Sequence, residues 1–387
     1  MPRRRNSVSA VILPDELIVE IFTLLPVKPL IRFRCVNKFF KTLISDPYFV
    51  QMHLNKSSRN WQLALTYYED GRRSLPSWKN RIRFLVGTIL GHGDDPNYLL
   101  NDYSHIPKQQ VVVASCNGLL LIGSIYYYRE NWLYFWNPAT RTKSEKFTIF
   151  SDSSIRLQYC FKFSFGYDNS TRTYKVVAFY VKVKDGCNVE SVVKVFSLAD
   201  NNYSRNIQCL PALPVYWSHP SKNNGVHLNG TINWLAFRNN INSSVPVDKY
   251  VILSLDLSTE TYTQLLPPPG FDNVLEYHLP KIVVLMDCLC FCHDFEKTHF
   301  VIWQMKDFGV QESWIRLFKI SNEKFFKWPS LLPLYLSENG DTLILANGDK
   351  EAFIYNHRDK TIEKIGISNH ILWSQAKDYV ESLVSIH

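Results

Sequence analysis

A pattern of apolar strands separated by turn residues recurs along most of the chain and constrains its fold more than any other feature. Five units follow one another at a period of roughly 50–60 residues, which is typical of the blades of a β-propeller. Residues 61–113 carry weaker strand signals and are a candidate sixth blade. Each unit ends in a strand–turn–strand segment, at residues 132–147, 192–207, 250–265, 299–320 and 350–365.

The composition supports a folded protein that is rich in β-structure. Hydrophobic residues make up 46% of the 387 residues, which excludes global disorder, and aromatic residues make up 14%. Aromatic side chains favour strands because they pack well on a pleated surface. Residues 378–386 alternate in the manner of a strand, and we expect this segment to lock the last blade of the ring to the first.

The first 55 residues follow a different pattern. Residues 1–10 are polar and basic and are predicted to be a disordered tail. From Leu13 onwards, apolar residues recur at helical spacing, with Pro14 at a helix start, Pro29 opening a second helix and Asn37 capping a third. A helical piece of this size buries too little apolar surface to be stable alone. We therefore expect a partner to complete its core.

The segment from Leu13 to Phe49, "LPDELIVEIFTLLPVKPLIRFRCVNKFFKTLISDPYF", resembles the F-box in the order and spacing of its apolar residues. The segments "SCNGLLLI", "WNPATR", "FSFGYDNSTRTYKVVAF", "GVHLNGTINWLAF" and "LSLDLSTETY" resemble the F-box-associated domain of large plant F-box families, including F-box/kelch-repeat and S-locus F-box proteins. The Gly-Gly pairs of kelch blades are missing. The resemblance implies a multidomain α plus all-β protein, with an F-box at 11–55 followed by a β-propeller-like substrate-binding domain at 56–387.

The resemblance also implies a function. An F-box binds a Skp-family adaptor, and through it a cullin and a RING protein, while the C-terminal domain holds a protein substrate for ubiquitination and degradation by the proteasome. The chain is then a non-catalytic subunit of a Skp–cullin–F-box (SCF) ubiquitin ligase, located in the cytoplasm, the nucleus or both. The residues expected to bind the adaptor are Leu13, Pro14, Leu17, Ile21, Leu24, Leu25, Pro26, Val27, Leu30, Ile31, Val36, Phe39, Phe40 and Ile44.

Substrate capture is predicted to map to loops on one face of the β-domain. Long polar connections at 126–131, 213–224, 238–248 and 266–278 separate the strand patterns. Four aromatic residues in them suit a protein–protein interface, namely Tyr126, Tyr127, Tyr216 and Trp217. Packing against neighbouring blades explains the same residues equally well.

The sequence offers no pointer to catalysis or cofactor binding. The sequence has no phosphate-binding loop, dinucleotide fingerprint or nucleophile elbow, so we expect no cofactor and no catalytic residue. Cys288, Cys290 and Cys292 alternate along an apolar run, which favours packing on one face of a strand over a metal site. No segment indicates a signal peptide or a membrane span, and neither nucleic acid nor membrane is an expected partner.

Two other functions fit the sequence less well. The first is a propeller-like scaffold or binding protein outside any ligase, which uses the helical module to dimerise. The second is an enzyme built on a propeller, such as a glycosidase, which would require a pair of carboxylates in a central pocket. The F-box-like residues favour the ligase subunit over both.

Overall fold

A computed structural model describes residues 13–57, 62–68, 80–86, 100–105, 110–124, 132–150, 160–184, 188–198, 204–219, 223–238, 250–271, 279–296, 298–321, 331–348, 351–366 and 371–386. Four helices precede a β-propeller along the chain, which confirms the predicted fold class. The basic tail predicted at residues 1–10 lies outside the described residues. Among the described helices, none has the length and apolar character needed to span a bilayer.

The helical module consists of α1 (Asp15–Thr23), α2 (Val27–Phe33), α3 (Lys38–Ser45) and α4 (Pro47–Ser57). The predicted cap of α3 is confirmed, because Asn37 Oδ1 accepts a hydrogen bond from Phe40 N at 2.7 Å. Asp46 acts in the same way for α4 and accepts from the backbone N–H of Tyr48 at 2.9 Å. The helix α4 extends past residue 55, where the helical domain was predicted to end.

One predicted helix start is wrong. We expected Pro29 to open the second helix, but α2 begins at Val27 and Pro29 lies in its first turn. The first N–H groups of a helix have no intrahelical acceptor, so proline is tolerated throughout this turn. Pro14 likewise precedes α1 as its cap rather than opening it.

The strands form six antiparallel sheets, which we call blades 1 to 6. Blade 1 contains β1 (Gln62–Tyr68), β2 (Asn80–Val86) and β3 (Leu100–His105). Blade 2 contains β4 (Gln110–Cys116), β5 (Leu119–Ser124), β6 (Trp132–Asn137), β7 (Thr142–Lys143) and β8 (Phe147–Thr148). Blade 3 contains β9 (Lys162–Asp168), β10 (Thr173–Lys184), β11 (Asn188–Ser197) and β12 (Ser204–Asn206).

The remaining blades follow the same plan. Blade 4 contains β13 (Leu213–Pro214), β14 (Val226–Leu228), β15 (Thr231–Phe237), β16 (Tyr250–Asp256) and β17 (Tyr262–Leu265). Blade 5 contains β18 (Lys281–Leu285), β19 (Cys288–Phe295), β20 (His299–Met305) and β21 (Trp314–Ser321). Blade 6 contains β22 (Leu331–Leu336), β23 (Thr342–Asn347), β24 (Glu351–Asn356) and β25 (Thr361–Lys364).

A last strand, β26 (Lys377–Tyr379), returns to blade 1 and pairs with β1, so that Gln62 lies opposite Tyr379. The predicted ring closure by the C-terminal segment is therefore confirmed, and residues 62–105 supply the sixth blade. The innermost strands β4, β9, β14, β18, β22 and β26 contact one another in this cyclic order. Only two residues of the predicted 378–386 segment, Asp378 and Tyr379, pair with β1, because the segment after Tyr379 leaves the sheet.

The propeller has two dissimilar faces. Innermost strands of neighbouring blades run in the same direction, so their starts share one face and their ends share the other. The face at their ends carries short hairpin turns such as Asn117–Gly118 and Asn229–Gly230, and we call it the turn face. The opposite face, the loop face, receives the ends of the strands that flank all four connections predicted to capture substrate.

A buried ion pair links blade 3 to blade 4 on the turn face. Lys175 Nζ lies 2.8 Å from Asp168 Oδ2 and donates a hydrogen bond to Leu257 O at 2.5 Å. Asp168 also accepts hydrogen bonds from Ser170 and Thr171, as expected for a turn residue. Burial alone would raise the pKa of Asp168, but these hydrogen bonds hold it well below its usual range.

The segment 380–386 joins the helical module to the propeller. Asn137, fully buried at the end of β6, donates through Nδ2 to Ser382 O at 3.1 Å and Val384 O at 2.9 Å. Gly118, with φ at +80°, leaves room for the Ser382 side chain, which a Cβ there would strike. Leu383 then enters the core of the helical module, among Phe22, Val27, Leu30, Ile44 and Phe49.

Candidate functional site

The helical module exposes an apolar surface that the propeller does not cover. Leu13, Leu17, Ile21 and Leu24 follow one another at helical spacing along α1, and Leu24 is 69% exposed. Val36 and Phe39 add to this surface at the α2–α3 junction and the start of α3. Together with Tyr48 of α4, we call these seven residues the helical apolar surface.

The opposite side of the same helices explains why this surface points outward. Phe22 of α1 packs against Phe33 and Phe40, with ring centroids 5.1 Å and 5.0 Å away. On α4, His53 Nε2 contacts Leu25 O at 2.8 Å, and burial lowers the pKa of this histidine. The inner helix faces are thus fixed by packing, and the remaining apolar faces have no partner among the described residues of the propeller.

The structure divides the residues that were predicted to bind an adaptor. Val27, Leu30 and Ile44 are buried in the module's own core, which corrects the expectation that they contact a partner directly. Leu25, Ile31 and Phe40 are half-buried against the same core. The others are exposed, namely Leu13, Pro14, Leu17, Ile21, Leu24, Pro26, Val36 and Phe39, and adaptor contact by them stays a prediction.

Sequence reasoning missed Tyr48, which is 74% exposed. It lies directly after the Asp46-Pro47 helix start, where the chain turns into α4. Its neighbour Phe49 enters the core instead. Aromatic residues side by side at a helix start necessarily point in different directions, and this signal in the sequence would have identified one of the pair as exposed.

On the loop face, the structure describes one of the predicted capture segments well. Trp217 N donates to Pro214 O at 3.1 Å, and His219 N donates to Tyr216 O at 2.9 Å. Asn223 Nδ2 donates to Val215 O at 2.7 Å, and Lys162 Nζ donates to His219 O at 2.7 Å. These bonds hold residues 213–219 in a defined shape on blade 4.

The two aromatic residues of this segment are partly buried. Tyr216 has φ at +60°, a conformation uncommon for a bulky residue, and its ring packs against a core shared by blades 4 and 5. Trp217 packs against the core between blades 3 and 4. The rings of Tyr216 and Trp217 therefore pack inside the propeller and are also partly exposed to solvent. Tyr126 and Tyr127 lie outside the described residues.

The side chains that resemble catalytic or metal groups are structural in their surroundings. Cys116 Sγ lies 3.6 Å from His227 Nδ1, but burial raises the pKa of the thiol and lowers that of the imidazole. A protonated thiol is a poor nucleophile. Cys290 and Cys292 lie in the core between blades 5 and 6, in agreement with the packing interpretation. Within the described residues, no cluster of three or more potential metal ligands exists.

Comparison with known families matches both parts of the chain. The F-box domain family matches residues 12–52, which contain α1 to α3 and all seven residues of the helical apolar surface. The F-box associated beta propeller domain family matches residues 95–386, which is well over half of the chain.

Curated relatives are similar to this chain over most of their length. The F-box/kelch-repeat protein At3g23880 of Arabidopsis thaliana is 26% identical over 381 residues, covering 96% of this chain and 95% of the relative. F-box protein CPR1 of Arabidopsis thaliana is 25% identical over 391 residues, covering 96% and 88%. Among solved structures, an oligogalacturonate lyase in complex with manganese has a TM-score of 0.41 at 9% identity, covering 79% of this chain and 78% of the lyase, and this likeness is too weak to support an argument.

The family matches and the geometry lead to one assignment. An F-box together with a propeller domain supports a general role in substrate recognition by SCF ligases, and F-box proteins are typically non-catalytic substrate adaptors. The helical module carries the F-box match together with the exposed apolar surface, and the propeller carries the other match. The chain belongs to the family of F-box proteins with an F-box-associated β-propeller domain.

Proposed function

We propose that this chain is the substrate-recognition subunit of an SCF-type ubiquitin ligase, which binds a Skp-family adaptor through the helical apolar surface and a protein substrate through the loop face. The adaptor connects it to a cullin and a RING protein. The chain itself contributes no catalytic group and acts by raising the concentration of substrate lysines near a ubiquitin carrier. A cytoplasmic or nuclear location is part of this proposal.

The observation that carries the proposal is the helical apolar surface itself. Large apolar side chains are rarely exposed together on a soluble protein unless a partner covers them. The core beneath them is already complete, because Leu383 fills it from the propeller side. The exposed residues are therefore available to a second protein and are not needed to finish the fold.

The first experiment measures adaptor binding. We expect Leu17→Ser combined with Leu24→Ser to weaken binding of a purified Skp-family adaptor by roughly 30- to 1,000-fold, which corresponds to losing about 2–4 kcal/mol at central anchors. A matched control is Val310→Ser combined with Ile315→Ser, two propeller residues of similar exposure. Equal adaptor binding by the wild type and the Leu17/Leu24 variant, both folded, would refute the proposal.

The substrate side of the proposal rests on the arrangement of the two faces. The helical module contacts Ala139, in a hairpin turn of blade 2, and Leu383, so it lies at the turn face. The connections at 126–131, 213–224, 238–248 and 266–278 all join strand ends at the loop face. A bound substrate would then lie away from the adaptor, and the two proteins would not compete for the same surface.

The second experiment separates substrate capture from adaptor binding. Tyr216→Ala with Trp217→Ala should slow the turnover of a captured target in cells while adaptor binding stays unchanged. The half-buried rings also pack inside the propeller, so the melting temperature of the double variant must be measured alongside. If a stable double variant, and further variants on both faces, left the half-life of a validated target unchanged, the loop-face assignment would be wrong.

The alternative function, a scaffold protein that is not part of a ligase, predicts a different oligomeric state. A scaffold that dimerises through its helices would bury the helical apolar surface against a second copy of the chain. Sedimentation of the purified protein at several concentrations distinguishes the two, because the ligase subunit should bind one adaptor and the scaffold should form a dimer that excludes the adaptor.

A further inference from the structure

Three blades place a lysine at the same position of their innermost strand. Lys162 opens β9 in blade 3, Lys281 opens β18 in blade 5, and Lys377 opens β26 in blade 1. In blades 2 and 6 the same position is held by the uncharged Gln110 and Leu331. Because the innermost strands start at the loop face, all three lysines lie around the loop-face mouth of the propeller axis.

The three lysines lie at the same end of their innermost strands, and two of their side chains extend toward the following blade. Lys162 Nζ donates to His219 O of blade 4 at 2.7 Å, and Lys281 Nζ donates to Leu331 O of blade 6 at 3.1 Å, so each reaches toward the following blade. Lys377 lies opposite Ala64, which packs toward blade 2. Lysines from three alternate blades therefore lie at the same end of the ring.

The charge of Lys377 acts on the ammonium group of Lys162. Burial lowers the pKa of Lys162 to about 7; Cys160 opposes this shift and the positive charge of Lys377 adds to it. Burial also lowers the pKa of Lys377. The ammonium groups of Lys162 and Lys377 repel each other, which raises the free energy of the protein. An anion bound near them would reduce this repulsion.

Lys377 is the member best placed to bind a ligand. Its side chain is half-exposed, whereas Lys162 is completely buried and serves to hold the 213–219 segment. Among the described residues, the ammonium of Lys377 has no hydrogen bond and no ion pair within salt-bridge distance. A partly exposed ammonium group without a hydrogen-bonding partner in the protein is suited to an external acceptor.

The sign of the charge changes along the axis. Asp378 follows Lys377 in the direction of the turn face, and burial raises the pKa of its carboxyl group. Lys377 opposes that shift, and Asp287, in the turn between β18 and β19, adds to it. The lysines therefore lie at the loop-face end of the innermost strands, while the exposed Asp378 and Asp287 lie further toward the turn face, so an anion is favoured at the loop-face end.

We propose that the loop-face mouth binds a compact multivalent oxyanion, of the phosphate or carboxylate class, between Lys377 and Lys281, with Lys162 as a positioning residue behind them. The site is separate from the helical apolar surface and does not depend on the proposed ligase function. It gives the loop face a preference for ligands that carry concentrated negative charge.

The test is calorimetric titration of the purified full-length chain with inorganic pyrophosphate and, separately, with citrate, at constant ionic strength. We expect saturable binding of at least one probe, and the comparison between them identifies the phosphate or the carboxylate class. Lys377→Gln and Lys281→Gln should each weaken binding roughly tenfold or more, since a hydrogen bond to a charged group contributes about 1.5–3 kcal/mol.

The matched control is Lys319→Gln, at an exposed lysine on the outer strand β21 of blade 5, which should bind the probe as the wild type does. Melting temperatures of all variants verify that they are folded. Absence of saturable binding to the wild type, or equal binding by the wild type and the Lys377 and Lys281 variants, would overturn the proposal.

Discussion

The helical module and the propeller differ in how completely they cover their apolar side chains. Seven of the twelve large apolar residues that are exposed in the described part of the chain lie between Leu13 and Tyr48. The other five are spread over the much larger propeller, at Val183, Leu266, Met286, Val310 and Ile315. The propeller encloses its own cores between blades, whereas the helices retain one uncovered side.

This difference identifies the helical module as the part of the molecule whose apolar side chains are not all covered by the chain itself. Helices α1 to α4 have a small core, and even that core contains Leu383 from the segment after the last blade. Inner helix faces are covered by the same chain, and the outer faces are those that we propose to bind a partner. Substitutions should therefore separate into those that unfold the protein and those that alter binding alone.

The largest expected effect comes from removing residues 377–387. This deletion removes the innermost strand of blade 1, the hydrogen bonds from Asn137 and the contribution of Leu383 to the helical core. We expect loss of the cooperative thermal transition in both regions, measured by circular dichroism. An unchanged melting temperature would show that the segment is an independent appendage and that the ring does not need it.

A smaller but substantial loss is expected for Asp168→Asn, which removes the nearer ion-pair partner of the buried Lys175 and leaves only Glu260, at 3.5 Å. Breaking a buried pair in this way costs about 3–5 kcal/mol of unfolding free energy. The pKa of Asp168 is depressed in the folded state, so its contribution is present above its unfolded value, about pH 4, and is lost as the pH falls through the folded value.

Denaturant unfolding at neutral pH and at successively lower pH checks this prediction. The difference between wild type and the Asn variant should be largest at neutral pH and should shrink on acidification. Asp359→Asn, at an exposed turn of blade 6, is the control and should behave as the wild type. A constant difference across the pH range would contradict the role of the ion pair.

Leu383→Ala should have an effect of intermediate size on the helical module. Truncation of a buried leucine costs about 2–5 kcal/mol. Because this residue lies between the two regions, we expect the helices to unfold before the propeller, which hydrogen exchange of α1 to α4 would detect. Simultaneous loss of protection in helices and blades would instead show that the two regions unfold as one unit.

The smallest effect on stability is expected for Leu24→Ser. An exposed substitution of this kind changes the unfolding free energy by about 0.5 kcal/mol or less. The buried neighbour Leu30 provides the contrast, since Leu30→Ala should cost about 2–5 kcal/mol. A large destabilisation by Leu24→Ser would mean that the helical apolar surface is part of the fold and not a binding surface.

The sequence predicted elements that depend on local chemistry. Helical spacing identified α1, the Asn37 cap followed from a side chain that competes with the backbone, and strand alternation located five blades. The blade at residues 62–105 was only suggested, because its innermost strand comes from residues 377–379, far away in the chain. No local pattern reports such a pairing.

The candidate sites show the same limit. Helical periodicity placed Leu17, Ile21 and Leu24 on one side, but it did not separate them from Val27, Leu30 and Ile44, which are equally apolar. Their burial depends on how the four helices and Leu383 meet. The shared strand-start position of Lys162, Lys281 and Lys377 was likewise invisible, because residues 119 and 96 positions apart are aligned only by the ring.

The position of Leu383 also determines when the helical core can be completed during translation. Helices α1 to α4 leave the ribosome early, but their core is incomplete until more than three hundred further residues have been added. The same addition supplies the strand that closes blade 1. A chain that terminates before residue 377 therefore lacks both a finished helical core and a closed ring, and truncated products are poorly suited to occupy an adaptor.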